Sequence, residues 1–211
     1  MEKLVKGFLK FRNEVFDEKK KLFSELSSQQ SPGALFITCS DSRVDPNLLT
    51  QAEPGELFIL RNAGNMVPPY GSMLGSSTAT IEYAVAVLKV PHIIVCGHTD
   101  CGVMKALLHP EQVSDLPAVR AWVGQAEITR RIMQDHHEHG EHDERLIITT
   151  QENVRAQLDN LRTHPSVALQ LRRGALQLHG WVYSIAEGDV WVYDDTSDAF
   201  VLLTDKYADE H

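Results

Sequence analysis

Residues 92–102 read His-Ile-Ile-Val-Cys-Gly-His-Thr-Asp-Cys-Gly. Pro91 and the β-branched run behind it predict a short buried strand over His92–Cys96. His98 and Cys101 follow just past that strand, three residues apart, and a helical pattern begins at Val103 and runs to Leu108. A fully apolar strand that passes through a loop into a helix is the repeating unit of a parallel sheet covered by helices. In such open sheets ligands gather outside the carboxyl ends of the strands. The loop at 97–102 is therefore the first place to look for chemistry.

Working outward, three further runs have the same character: Ala34–Cys39 (ALFITC), Glu56–Leu60 (ELFIL) and Arg145–Thr149 (RLIIT). Helical periodicity separates them at Thr78–Leu88 and Pro117–Met133, and continues at Asn153–Leu161 and Ser166–Leu171. Trp181–Ile185 and Val190–Tyr193 flank Glu187-Gly188-Asp189, which reads as a hairpin. The pattern predicts an α/β fold. It has a mostly parallel central sheet of about four strands, an antiparallel C-terminal edge hairpin and helices on both faces. Upstream, Leu4, Phe8, Phe11, Val15 and Phe16, then Leu22, Phe23 and Leu26, fall near helical spacing, and Ser-Ser-Gln-Gln-Ser-Pro-Gly closes the segment with turn chemistry. The expected division is a helical arm over 1–30 and an α/β catalytic domain over 31–211. The arm's apolar face needs a partner, and a second copy of the chain is the simplest one, so a homodimer or higher homo-oligomer is expected.

Composition narrows the class. The formal net charge of −9 argues against nucleic acid or an anionic membrane as partner. No run of about 18 apolar residues is present to span a bilayer, and the start, MEKLVKGFLKF, lacks the pattern of a secretory signal. Three cysteines are too few and too odd for a disulfide framework. Reduced thiols in the cytoplasm are expected, available to bind metal.

Cys39 closes the first strand, so Cys39, His98 and Cys101 are expected to meet at one sheet edge. Two thiolates and an imidazole suit Zn²⁺, and three protein ligands leave a fourth position open, as catalytic zinc requires. Cys96, inside its strand, reads as core. Asp41, two residues past Cys39, can accept a hydrogen bond from a metal-bound water, and Arg43 can clamp it as a bidentate pair. Only three residues separate Cys39 from Arg43, too few for the phosphate-cradling loop of a thiol phosphatase.

These motifs carry a resemblance. CSDSRVDP at 39–46, RNAGNMVPPY at 61–70, EYAV at 82–85 and GHTDCG at 97–102 resemble the β-carbonic anhydrases, with similarity reaching LHGWVY at 178–183. The branch is that of the bacterial cyanate-associated enzyme and the plant and cyanobacterial enzymes. The resemblance implies reversible hydration of CO₂ to bicarbonate and a proton by zinc-bound hydroxide. It makes Cys39, His98 and Cys101 the zinc ligands and Asp41 and Arg43 the family's dyad. Gln30 matches a glutamine that reaches the pocket from the partner subunit, and Tyr83 matches a tyrosine lining it. Gly64, Val67 and Gly102 are expected in the substrate pocket, and Gly97 and Gly102 to permit the turn around the ligands. Some members carry an inhibitory bicarbonate site of Trp, Arg and Tyr. Arg61 and Tyr183 stand at two of those places, but Phe36 replaces the Trp and lacks its N–H. An open metal position, rather than one closed by Asp41, is the expectation.

Two other readings remain at this stage: a same-fold hydrolase of CS₂ or COS, and a zinc protein without turnover. The histidine-rich run His136-His137-Glu138-His139-Gly140-Glu141-His142 reads as a solvated helix end and loop.

Overall fold

A computed structural model describes residues 1–72, 74–136 and 141–207. The histidine-rich run falls largely outside them. The chain forms two compact units, Met1–Ser31 and Pro32–His211.

The first unit is helical. Helix Glu2–Lys10 runs on through a π-helical turn at Phe11–Val15, and helix Lys20–Leu26 follows. Phe11, Phe16 and Phe23 join in edge and stacked contacts with ring centres 5.3 to 6.2 Å apart. Leu4, Val5, Phe8 and Leu9 are left exposed.

The second unit is built on six strands: β1 (Ala34–Cys39), β2 (Leu57–Asn62), β3 (His92–His98), β4 (Gln177–Tyr183), β5 (Val190–Asp194) and β6 (Ala199–Leu202). They lie in the order β2-β1-β3-β4-β5-β6. β2, β1, β3 and β4 are parallel, while β5 and β6 return antiparallel. The α/β class and the C-terminal hairpin match the sequence expectation, and β6 adds a strand it did not include.

One expected strand is a helix. Arg145–Thr149 lies inside helix His142–Arg162, and the fourth parallel strand is β4 instead. The run is rich in β-branched residues, which is why it reads as a strand in isolation. Its burial follows the helical period: Leu146, Thr149, Thr150, Asn153, Val154, Gln157, Leu158 and Leu161 are all buried. Thr149 and Thr150 donate their hydroxyls to the carbonyls of Arg145 and Leu146, 2.6 and 2.9 Å away, which satisfies those groups within the helix. The stretch expected as one helix over Pro117–Met133 is two, Pro117–Val123 and Glu127–His136, joined by a 3₁₀ turn at Gly124–Ala126.

Helix His142–Arg162 lies directly on β3 and β4, and glycine makes that approach possible. A Cβ at Gly97 would come within 2.8 Å of Thr150, and one at Gly180 within 2.9 Å of Val154. Leu35, Ile37, Ile93, Val95, Val154, Leu158 and Val182 form the core between sheet and helices.

Candidate metal centre

Parallel registration brings the carboxyl ends of β1, β2 and β3 together. Cys39 pairs with Asn62 of β2, and Thr38 with Cys96 of β3. His98 is the last residue of β3. The chain then turns through Asp100 at φ 60°, and Cys101 precedes helix Gly102–Leu108. The left-handed step is taken by Asp100 rather than by Gly97 or Gly102, which are not in that region. Gly97 instead admits the helix above it, and the space beside the Gly102 Cα is open. The expectation that these two glycines make the turn is therefore corrected. Asp tolerates the left-handed region because its short side chain bonds locally.

Two thiol sulfurs and a His98 ring nitrogen lie within 4.8 Å of one another, and all three residues are buried. His98 Nδ1 is 2.9 Å from the Thr99 carbonyl, a bond it makes as donor, so Nε2 carries the lone pair. That Nε2 is buried without a hydrogen-bond partner. An unsatisfied buried lone pair beside two thiols costs free energy unless something electrophilic receives it, and the donor set suits Zn²⁺. The residues therefore fit a metal. Gly64, at φ 77°, donates its N–H to Cys39 Sγ at 3.3 Å. The Cys101 thiol also faces Cys39 and lowers its pKa against the opposing effect of burial. Cys101 is correspondingly raised, first by that same contact and then by burial. The pair holds one proton more tightly than the other, as facing thiols do, and a metal would replace both. Cys96 is core as expected, its thiol pushed up to about 12 by burial.

Asp41 and Arg43 meet as predicted. Arg43 Nε donates to Asp41 Oδ1 at 2.9 Å and Nη2 to Oδ2 at 2.8 Å, and the Arg43 backbone N–H adds a third bond to Oδ1. This fork holds the Asp41 carboxyl well below the usual carboxylate range. Oδ2 lies 3.9 Å from His98 Nε2, beside the ligand cluster. Arg61 fixes the main chain beneath, donating to the carbonyls of Cys39 at 3.0 Å and Asp41 at 2.7 Å. Phe36 is fully buried and meets Trp181 edge-on at 5.9 Å.

Of the remaining expected pocket residues, Gly64 stands against Cys39, while the Val67 side chain belongs to the core. Tyr83 packs on Phe58, with ring centres 6.0 Å apart. Phe58 pairs with Leu35, four residues before Cys39 in register, about 13 Å along the strand. Within one chain Tyr83 is therefore not brought to the three ligands. Gln30 lies in the first unit, Met1–Ser31.

Sequence reasoning missed the support of the 64–70 loop. Helix His142–Arg162 carries Asn153, Gln157 and Asn160 along one face. Asn153 donates to the Gly64 carbonyl at 3.2 Å. Gln157 accepts from Val67 N–H at 2.8 Å, and Asn160 donates to the Val67 carbonyl at 2.8 Å. Polar residues at i, i+4 and i+7 were the available signal, hidden because the start of the helix reads as a strand.

An open α/β sheet carries at its carboxyl edge a buried Cys-His-Cys cluster that could hold a metal, beside a carboxylate–guanidinium pair. The carbonic anhydrase family model matches residues 34–190. A carbonic anhydrase of Pseudomonas aeruginosa is 50% identical over 97% of this chain and 93% of its own length. One from Synechocystis is 47% identical over 95% of this chain and 74% of its own. Among solved structures, the β-carbonic anhydrase CcaA superposes with a TM-score of 0.94 at 47% identity, covering 96% of this chain and 98% of that one. A tetrameric β-carbonic anhydrase of Sordaria macrospora gives a TM-score of 0.80 at 29% identity, over 90% of this chain and 95% of its own. The chain belongs to the β-carbonic anhydrase family, and its enzyme class is that of a lyase.

Proposed function

We propose that the chain catalyses reversible hydration of CO₂ to bicarbonate and a proton, with Zn²⁺ held by Cys39, His98 and Cys101. The observation that supports this best is the unpartnered His98 Nε2, facing two thiols and lying 3.9 Å from an ionised Asp41 oxygen. When bound, the metal acts as a Lewis acid that lowers the pKa of a coordinated water from about 16 toward 7, so that a nucleophile exists at neutral pH.

The protein's own groups do the rest. Asp41 accepts a hydrogen bond through Oδ2 and aims the nucleophile's hydrogen away from the substrate. Arg43 keeps Asp41 ionised and turned, so that it remains an acceptor across the working range. Gly102, with open space beside its Cα, leaves room at the rim for a substrate that has no charge to grip, while Gly64 is packed against Val103 and Met104. Gln30 and Tyr83 serve a partner subunit's site in this reading, which makes a homo-oligomer, at least a dimer, the working form, with the 1–30 arm packing on the second copy. Among the described residues no helix is long and apolar enough to cross a membrane, and the working location is the cytoplasm.

The test is CO₂ hydration followed by stopped flow, with metal content measured on the same sample. Wild type should carry one zinc per chain and turn over CO₂. Asp41→Asn should keep zinc and lose about 10²-fold in rate, the lower end of what a positioned proton-handling group contributes. A zinc-loaded wild type with no CO₂ hydration but with turnover of CS₂ or COS would replace this reading with the alternative.

A further inference from the structure

Arg43 does not belong to Asp41 alone. Its Nη1 donates to Asp100 Oδ2 at 2.8 Å, and its Nη2 also reaches the Asp100 carbonyl at 3.3 Å. The other Asp100 oxygen, Oδ1, pairs with Lys105 of helix Gly102–Leu108. Asp100 adopts φ 60° between His98 and Cys101, and its carbonyl and its carboxylate both meet the same guanidinium. The result is a chain of alternating charge: Lys105, Asp100, Arg43, Asp41. Arg61 already fixes the Asp41 main chain, so the remaining freedom of Asp41 is the rotation of its side chain. Arg43 bonds both oxygens of that side chain, and Asp100 bonds Arg43 in turn.

We propose that Asp100, braced by Lys105, is a positioning residue that pins the Arg43 guanidinium and so keeps the Asp41 carboxylate beside the metal position instead of on it. The inference rests on the proposed metal site and deepens it. Asp41 alone meets Arg43 from its own loop. A guanidinium held from that side only could swing out with the carboxylate as one unit. Held from the opposite side by the loop that carries two of the ligands, it is fixed relative to them. Planar fork geometry lets arginine bond both acids at once in a fixed mutual orientation, which the point charge of a lysine would not impose. The Arg43, Asp100 and Lys105 side chains are 44, 51 and 38% exposed, so solvent screens the contacts and the effect on rate is modest. Sequence reading passed over Asp100 because the spacing that identifies the site, His98 to Cys101, leaves the residues between them unspecified.

The test uses the full-length zinc protein and its cobalt(II)-substituted form. Asp100→Asn retains tolerance of the left-handed backbone and removes the charge. It should keep one metal per chain and lower kcat for CO₂ hydration about 5-fold, the size of one exposed charged contact. Lys105→Met should lower it about 2-fold, and Lys105→Arg should restore it. In an Arg43→Met background, Asp100→Asn should change nothing further, because the effect passes through Arg43. In the cobalt protein, Asp100→Asn should alter the visible absorption at fixed pH as the Asp41 carboxylate enters the coordination sphere. Wild-type rate and spectrum in Asp100→Asn would overturn the inference, as would loss of metal, or an effect that multiplies with Arg43→Met. If the wild type itself shows no CO₂ hydration, the function fails, while the cobalt spectra still decide the role of Asp100.

Discussion

Two groups of side chains share the carboxyl edge of the sheet and are held in opposite ways. Cys39, His98 and Cys101 are 6, 0 and 1% exposed, fixed at two strand ends and a helix start and by backbone partners such as the Gly64 N–H and the Thr99 carbonyl. Arg43, Asp100 and Lys105 lie a few ångströms away in contact with water, held by one another. The buried set cannot rearrange without opening the core, which suits the task of holding an ion. The exposed set is screened and individually weak, which suits the task of orienting a neighbouring carboxylate. In the proposed reading, metal affinity resides in the core, and control of the open position resides at the surface.

The sharpest way to break this division is to change the buried set. Cys39→Ser, His98→Ala and Cys101→Ser should each release the metal and reduce CO₂ hydration to the rate of buffer, as read by metal analysis and stopped flow. A single variant that kept one zinc per chain and full turnover would dissolve the distinction. A smaller effect is expected from the helix that supports the 64–70 loop. Gln157→Leu leaves the buried Val67 N–H without its acceptor and should lower unfolding free energy by about 1–3 kcal/mol in denaturant titration. The charged set should show the smallest effect. The folded-state pKa of Asp41 is depressed by Arg43, so the stability from this pair is present above the unfolded value near 4. It is lost as pH falls through the folded value. In metal-free protein, Asp41→Asn should therefore be destabilising at pH 6, and the difference from wild type should shrink as the pH is lowered below 4.

The same contrast explains what was legible in the sequence. The buried candidate ligands sit at or just past strand ends, where spacing, β-branched runs and thiol chemistry all point one way, so Cys39, His98 and Cys101 emerge together. Asp41 and Arg43 follow because they are local to Cys39. Asp100 and Lys105 do not, since their meaning depends on the fold bringing a second loop against Arg43. ALFITC at 34–39 and RLIIT at 145–149 make the point for secondary structure. Both are short and β-rich. The first is buried at every position, as a central parallel strand must be. The second opens a 21-residue helix, whose period appears only when the run is read on to Leu161. β6 was missed because Ala199–Leu202 is a four-residue edge strand whose existence depends on pairing with β5. Gly97 and Gly180 were legible as glycines, but not as the seats of a helix whose position is a tertiary fact.

X-ray absorption at the zinc edge of the purified, fully loaded protein near neutral pH tests the central claim most directly. Two sulfurs at about 2.3 Å, one imidazole nitrogen and one further light atom at about 2.0 Å are expected, the last exchangeable with an added anion. A shell with no sulfur, or a fourth ligand that is the protein's own carboxylate in wild type and cannot be displaced, would contradict it.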